Sequence, residues 1–143
     1  FIVQSPDYYS KILRSNLIKF NVEFEIKNFY YNLDELLQNT DMIISRCGAG
    51  TINDIIFYKI PSILIPLPSS KDNHQYENAN IIIKKKCGIL IDQKNFDIAK
   101  VINFINEILH DKKAKQNIRN ILNKEIILDS NELMLDSIEN ANK

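Results

Sequence analysis

The chain predicts an α/β fold built on a doubly wound parallel sheet. Three observations carry that expectation. Short apolar runs, among them Met42-Ile43-Ile44 and Ile63-Leu64-Ile65, alternate with longer amphipathic stretches. The joints between them are brief and carry Gly, Pro, Asn or Asp. The length of 143 residues, 45% of them apolar and 25% charged, suits a single globular domain able to bury a core. Strands that alternate with helices through tight loops build parallel sheets, and such sheets bind ligands beyond the carboxyl ends of their strands.

Taken in order, Phe1 to Gln4 reads as the tail of a strand that enters a turn at Ser5-Pro6. A helix is expected from Asp7 to Phe20, with Tyr8, Ile12, Leu13 and Leu17 on one face. Val22 to Ile26 alternates apolar and charged residues, the period of a half-exposed strand. A short helix from Leu33 follows, capped by Asn32. Asp41 to Ser45 reads as a strand buried on both faces, and Thr51 to Tyr58 as a helix that stops before Pro61. Ser62 to Pro66 is another buried strand; a polar loop and a helix from Asn73 or His74 to Lys86 come next. Gly88 and the strand Ile89 to Asp92 lead into a mostly helical part, 97–143, with helices near 98–109, 111–124 and 130–141. Three loops, Phe29-Tyr30, Arg46 to Thr51 and Leu67 to Gln75, are expected to meet at one sheet edge.

Composition narrows the function. Eighteen basic and eighteen acidic residues give a formal charge of zero, so no nucleic-acid partner is expected. The longest apolar runs fall far below a membrane span. Cys47 and Cys87 lie far apart without metal-ligand spacing and read as reduced thiols. An alkylating reagent at Cys47 is expected to block the neighbouring turn without Cys47 being catalytic. His110 stands alone at a polar helix end and reads as surface.

The chemistry concentrates in two stretches. Ser45-Arg46-Cys47-Gly48-Ala49-Gly50-Thr51-Ile52-Asn53-Asp54 reads as strand, glycine-bearing turn and helix, with Thr51 near the N-cap. Gly48 and Gly50 are expected to allow positive φ and close ligand approach. A helix N-terminus with unpaired N–H groups attracts phosphate. Asp54, one turn beyond Thr51, offers a carboxylate to sugar hydroxyls. The same turn also fits an ordinary strand–helix connection, and Thr-x-x-Asp is a variant capping pattern. In the second stretch, Asn73-His74-Gln75-Tyr76-Glu77-Asn78-Ala79, the side chains of His74, Gln75 and Asn78 gather at a helix start. They suit a phosphate or sugar, and equally a solvated first turn capped by Asn73.

Arg46-x-Gly-Ala-Gly-Thr, then Pro61-Ser-Ile-Leu-Ile-Pro-Leu-Pro, then Asn73-His-Gln-x-x-Asn-Ala closely resemble the C-terminal half of the MurG-type transferases, which add GlcNAc from UDP-GlcNAc to undecaprenyl-pyrophosphoryl-muramoyl-pentapeptide in peptidoglycan synthesis. The resemblance implies one UDP-sugar donor-binding domain over 1–143, the Rossmann-like C-terminal half of a GT-B glycosyltransferase, truncated on its N-terminal side and lacking its first strand. It implies that Phe29 and Tyr30 close over uracil, with its edge held by backbone groups. It implies that Gly50 and Thr51 meet the donor's phosphates at the helix N-terminus, with Arg46, Gly48 and Ala49 also in the donor site. Asp54 stands where the family usually has Glu on the ribose, one methylene shorter. His74, Gln75 and Asn78 cluster on the donor sugar and phosphates. No catalytic residue, metal or cofactor is expected in this chain, because the general base and the site for the lipid-linked acceptor belong to an N-terminal domain. The fragment alone is expected to be inactive, and the whole enzyme to sit peripherally on the cytoplasmic side of the bacterial inner membrane. Other readings are a dolichol-linked GlcNAc transferase subunit, a UDP-GlcNAc 2-epimerase-like protein, or a nucleotide-sugar binding module without catalysis. Lys84 to Lys86 and Lys112, Lys113 and Lys115 read as solvated helix faces, with anionic lipid as the alternative.

Overall fold

The computed structural model describes residues 1–69 and 73–124. The chain divides into two compact units, Phe1–Leu36 and Leu37–Lys143. In the first, β1 (Ile2–Gln4), α1 (Asp7–Lys19) and β2 (Glu25–Lys27) form a βαβ motif in which Val3 lies opposite Ile26 in parallel register. A parallel pair requires such a crossover, and α1 supplies it. The face that α1 turns inward is Ser10, Leu13 and Leu17, all half-buried, whereas Tyr8 and Ile12 are exposed. The apolar stripe expected from the sequence is therefore half right. Ile26 and Tyr30 are buried here, and Arg14 Nη2 donates to the Ile26 carbonyl at 3.1 Å. The strand expected over Val22–Ile26 begins later, at Glu25, where its ladder to β1 starts. The short helix α2 (Leu33–Gln38) follows, and Asn32 Nδ2 donates to Glu35 Oε2 across its first turn at 3.2 Å.

The second unit holds β3 (Ile43–Ser45), α3 (Ala49–Tyr58), β4 (Ser62–Leu64), α4 (His74–Ile83), β5 (Gly88–Leu90), α5 (Ile98–His110) and α6 (Lys112–Leu122). The strands pair in parallel in the order β3-β4-β5, with Ile63 between Ile44 and Ile89. β4 is central and every residue of it is buried, as its apolar run predicts. The core gathers Ile52 and Ile55 of α3, Ile63 and Leu64 of β4, Ala79 and Ile82 of α4, with Val101, Phe104 and Ile108 of α5. Asp97 and Asp111 cap α5 and α6: their carboxylates accept from the N–H groups of Lys100 at 3.0 Å and of Lys113 at 2.8 Å. The helix expected near 130–141 lies outside the described residues.

One expectation changes. β3 is not buried on both faces, because Ile44 is 54% exposed while its neighbours Ile43 and Ser45 are half-buried on the opposite face. The parallel strands also form two ladders among the described residues, β1-β2 and β3-β4-β5.

Gly88 sets the spacing of β4 and β5. A Cβ added there would stand 2.3 Å from the Ser62 carbonyl oxygen and 2.7 Å from Ser62 Oγ. Gly50, inside the first turn of α3, would meet nothing within 4 Å. The two alanine substitutions should therefore differ in sign. Gly88→Ala is expected to lower stability by about 3 kcal/mol, and Gly50→Ala to raise it by about 0.5–1 kcal/mol. Urea unfolding midpoints of the two variants check this directly.

Candidate functional site

At the carboxyl end of β3, Ser45 passes through Arg46 and Cys47 into Gly48, the N-cap of α3, in extended backbone (φ −65°, ψ 151°). The first helical bond runs from the Ile52 N–H to the Gly48 carbonyl at 3.0 Å. The N–H groups of Ala49, Gly50 and Thr51 precede that bond and stand outside the helix's own ladder. Gly48 has no side chain to cap them, and the first turn contains no acidic residue. The positive end of a ten-residue helix is thus presented bare, with Ala49 and Gly50 exposed.

Positive φ at Gly48 and Gly50 is not observed; no glycine in the described chain has it. Thr51 is the third residue of α3 rather than its cap, since the helix starts two residues earlier than the sequence suggests. The glycines matter here as small residues. A Cβ at Gly48 would touch only Thr51 Oγ1, at 3.9 Å, so the fold leaves room there that it does not itself use.

Side chains from other elements hold this turn. Gln75 Oε1 accepts from the N–H of Cys47 at 3.3 Å and from that of Leu67 at 2.9 Å. Asn78 Nδ2 donates to the Cys47 carbonyl at 3.0 Å. Arg46 Nη1 donates to the carbonyls of Ile65 at 3.1 Å and Pro66 at 3.2 Å, so the turn after β3 is tied to the segment leaving β4. His74 is exposed as the first residue of α4, and Asp54 is half-buried on α3 one turn beyond Thr51. Asn73 takes the left-handed conformation (φ 55°) at the N-cap of α4 and makes no side-chain cap, contrary to the capping alternative. The structure therefore brings together Arg46, the Gly48–Thr51 turn, Gln75 and Asn78, and shows Gln75 and Asn78 holding the turn itself.

An open cleft of about 360 Å³ lies at the same strand ends, lined by Ile44, Ser45, Arg46, Ile65, Gln93 and Phe96. Ser45 Oγ is buried without a hydrogen-bond partner. Gln93 and Phe96 escaped the sequence reading because only their place after β5 marks them. A larger depression of about 470 Å³ sits at the other end of α3, beside Phe57, Tyr58 and Lys59. There the helix dipole is negative, which disfavours a phosphate.

Residues 2–133 match the family model described as glycosyltransferase family 28 C-terminal domain. The chain belongs to that family. It is similar to the UDP-N-acetylglucosamine--N-acetylmuramyl-(pentapeptide) pyrophosphoryl-undecaprenol N-acetylglucosamine transferase of Rickettsia bellii, with 38% identity over 107 residues, which are 75% of this chain and 29% of that protein. The protein of the same name from Rickettsia rickettsii is 34% identical over 120 residues, 81% of this chain and 30% of its own length. The chain thus spans about 30% of the length of these relatives. Among solved structures, that of Acinetobacter baumannii MurG matches with a TM-score of 0.84 at 17% identity, over 97% of this chain and 42% of the other. The spinosyn forosaminyltransferase SpnP matches at 0.53, over 86% and 39%. These likenesses place the fold among parallel α/β glycosyltransferase domains.

Within this family 28 domain, the aromatic pair singled out in the sequence divides its roles. Tyr30 is buried in the first unit; its hydroxyl donates to the Glu25 carbonyl at 3.2 Å, and Lys27 Nζ stands 5.2 Å from its ring centre. Burial, reinforced by Glu25, raises its pKa. Its ring is committed to the unit's own packing. Phe29 is 59% exposed and meets Tyr31 edge-on at 5.0 Å. Tyr31, which the sequence reading did not single out, is the ring that keeps company with Phe29.

Cys47 is wholly buried in the family 28 turn, and burial pushes its thiol up to about 11, against a small opposing effect of Arg46. The expectation that an alkylating reagent reaches it is therefore corrected: at neutral pH the thiol is both shielded and protonated. Native protein treated with iodoacetamide at pH 7.5 should stay unmodified at Cys47, while urea-unfolded protein should be labelled quickly. Intact-mass and peptide mapping of the two samples read the difference.

Proposed function

We propose that residues 1–143 are the donor-binding domain of a GT-B glycosyltransferase that moves GlcNAc from UDP-GlcNAc to undecaprenyl-pyrophosphoryl-MurNAc-pentapeptide during peptidoglycan synthesis. The observation that carries this reading is the bare, unacidified N-terminus of α3 at the carboxyl end of β3, in a chain of family 28. The diphosphate of the donor sits against the N–H groups of Ala49, Gly50 and Thr51. Asp54 accepts from ribose hydroxyls. His74, Gln75 and Asn78 stand on the side of the sugar and phosphates, and Arg46 belongs to the same cluster. Phe29 and the backbone at Tyr30 serve the uracil.

In this reading the reaction is an inverting displacement at the sugar C1. As the bond to UDP breaks, negative charge grows on the leaving diphosphate, and preoriented N–H dipoles at a helix start stabilise that charge without reorganising. The attacking hydroxyl is the muramoyl acceptor's own: its oxygen forms the new bond to C1 as the bond to UDP breaks, and its proton passes to a general base outside this chain, which spans about 30% of its relatives. The enzyme works at the cytoplasmic face of the inner membrane as a peripheral protein, and this chain by itself transfers no sugar. Among the described residues no helix is long and apolar enough to cross a membrane.

Two measurements test the donor site. An amide titration with UDP-GlcNAc should move signals at Phe29–Tyr30, Gly48–Asp54 and His74–Asn78, and should saturate at lower concentration than UDP-GalNAc. A dispersed spectrum indifferent to both nucleotides would sink the reading. Gly50→Val places a branched side chain in the open space over the turn and should weaken UDP binding by roughly tenfold or more while the chain stays folded.

A further inference from the structure

We infer that Asn78 and Gln75 are positioning residues, which hold the phosphate-facing start of α3 by gripping the backbone N–H and C=O of Cys47 from α4. The inference rests on the donor-site reading above. Both polar groups of one residue's backbone, the N–H and the C=O of Cys47, are satisfied by side chains one turn apart on the same helix. Cys47 itself is fully buried, so both of its backbone groups depend on these side chains for hydrogen bonds. The next residue, Gly48, is the cap of α3, and the three free N–H groups follow at once. The direction in which those N–H groups point is therefore set by how Cys47 is held.

The chemistry of the two amides fixes their orientation. The N–H groups of Cys47 and Leu67 must meet an oxygen, so Gln75 presents Oε1 to them. The Cys47 carbonyl must meet a donor, so Asn78 presents Nδ2. Gln75 also bridges two loops at once, since Leu67 lies in the segment leaving β4, where Arg46 adds its own bonds to the carbonyls of Ile65 and Pro66. The start of α3, the exit of β4 and the first turn of α4 thus form one hydrogen-bonded piece. A residue that simply contacted the sugar would have no need of a bond to a buried main chain.

The isosteric substitution Asn78→Asp keeps shape and removes the donor; Asn78→Ala removes it without adding charge. Each variant is compared with the wild-type chain for UDP and for UDP-GlcNAc binding, with the ligand-free amide spectrum recorded alongside. If Asn78 positions the turn, the Cys47–Thr51 amides shift in the free variants while core signals such as Phe104 hold. Both ligands then lose affinity by the same factor, about tenfold for one lost hydrogen bond. A loss confined to UDP-GlcNAc, with the Cys47–Thr51 amides unmoved, overturns the inference and leaves the donor site standing. A wild-type chain that binds neither ligand identifies a failure of the donor reading instead. Should both variants unfold, a through-hydrogen-bond coupling between Asn78 Nδ2 and the Cys47 carbonyl in wild-type protein decides; its absence overturns the clamp.

Discussion

A buried residue must find its backbone hydrogen bonds largely in protein, and Cys47 finds partners for both its N–H and its C=O in the side chains of α4. Much of the second unit is arranged around that requirement. β4 lies between β3 and β5 and brings its exit, Leu67, to the oxygen that already serves Cys47. Arg46, next in sequence, uses one guanidinium nitrogen to hold two carbonyls of that exit. Each bond contributes modestly, about 1 kcal/mol net, but leaving the buried groups unmet would cost more than forming them gains. The turn is joined with α4 and the exit of β4 by five hydrogen bonds. It can hold N–H groups ready for an anion without rearranging when charge arrives.

Close packing supplies the other constraint. Gly88 lets β5 approach β4 so tightly that even a methyl group would collide with the Ser62 backbone. With the sheet drawn in at that point, Ile82 of α4 and Ile63 of β4 fall into one core with Ile52 and Ile55 of α3. Helix ends are finished in different ways. α5 and α6 rely on aspartate caps, while α3 ends on Lys59 in the left-handed region (φ 58°), with N–H groups returned to Ile55 and Ile56. Only the N-terminus of α3 is left without a side-chain cap and without an acidic residue in its first turn, among the helices for which both features are defined. α1 starts with Asp7 and α4 has Glu77 in its first turn. α5 and α6 have their aspartates.

Much of this was legible beforehand, for identifiable reasons. The alternation of apolar runs and amphipathic stretches located every described strand and helix to within a few residues, because period and turn chemistry act locally. The boundaries moved where tertiary pairing overrode propensity. β2 starts at Glu25, where β1 can reach it, and α3 starts at Ala49, because Gly48 is already extended and its carbonyl accepts the first helical bond. The inward face of α1 is not legible in the sequence, because the apolar residues Tyr8 and Ile12 share a helical spacing with Leu13 and Leu17, and periodicity alone does not say which side meets the strands.

The sequence by itself determined the family, the parallel α/β plan and the set of polar residues around one turn, because motif spacing and apolar period are properties of the chain alone. Only the tertiary structure decided what those residues do for one another. Gln75 and Asn78 are twenty-eight and thirty-one positions from Cys47, and no local pattern announces that their amides will meet its peptide. Nor does spacing reveal that Tyr30 turns its ring inward while Phe29 leaves its own in solvent. Hydrogen-bond partners and burial belong to distance in space, which the chain acquires only by folding.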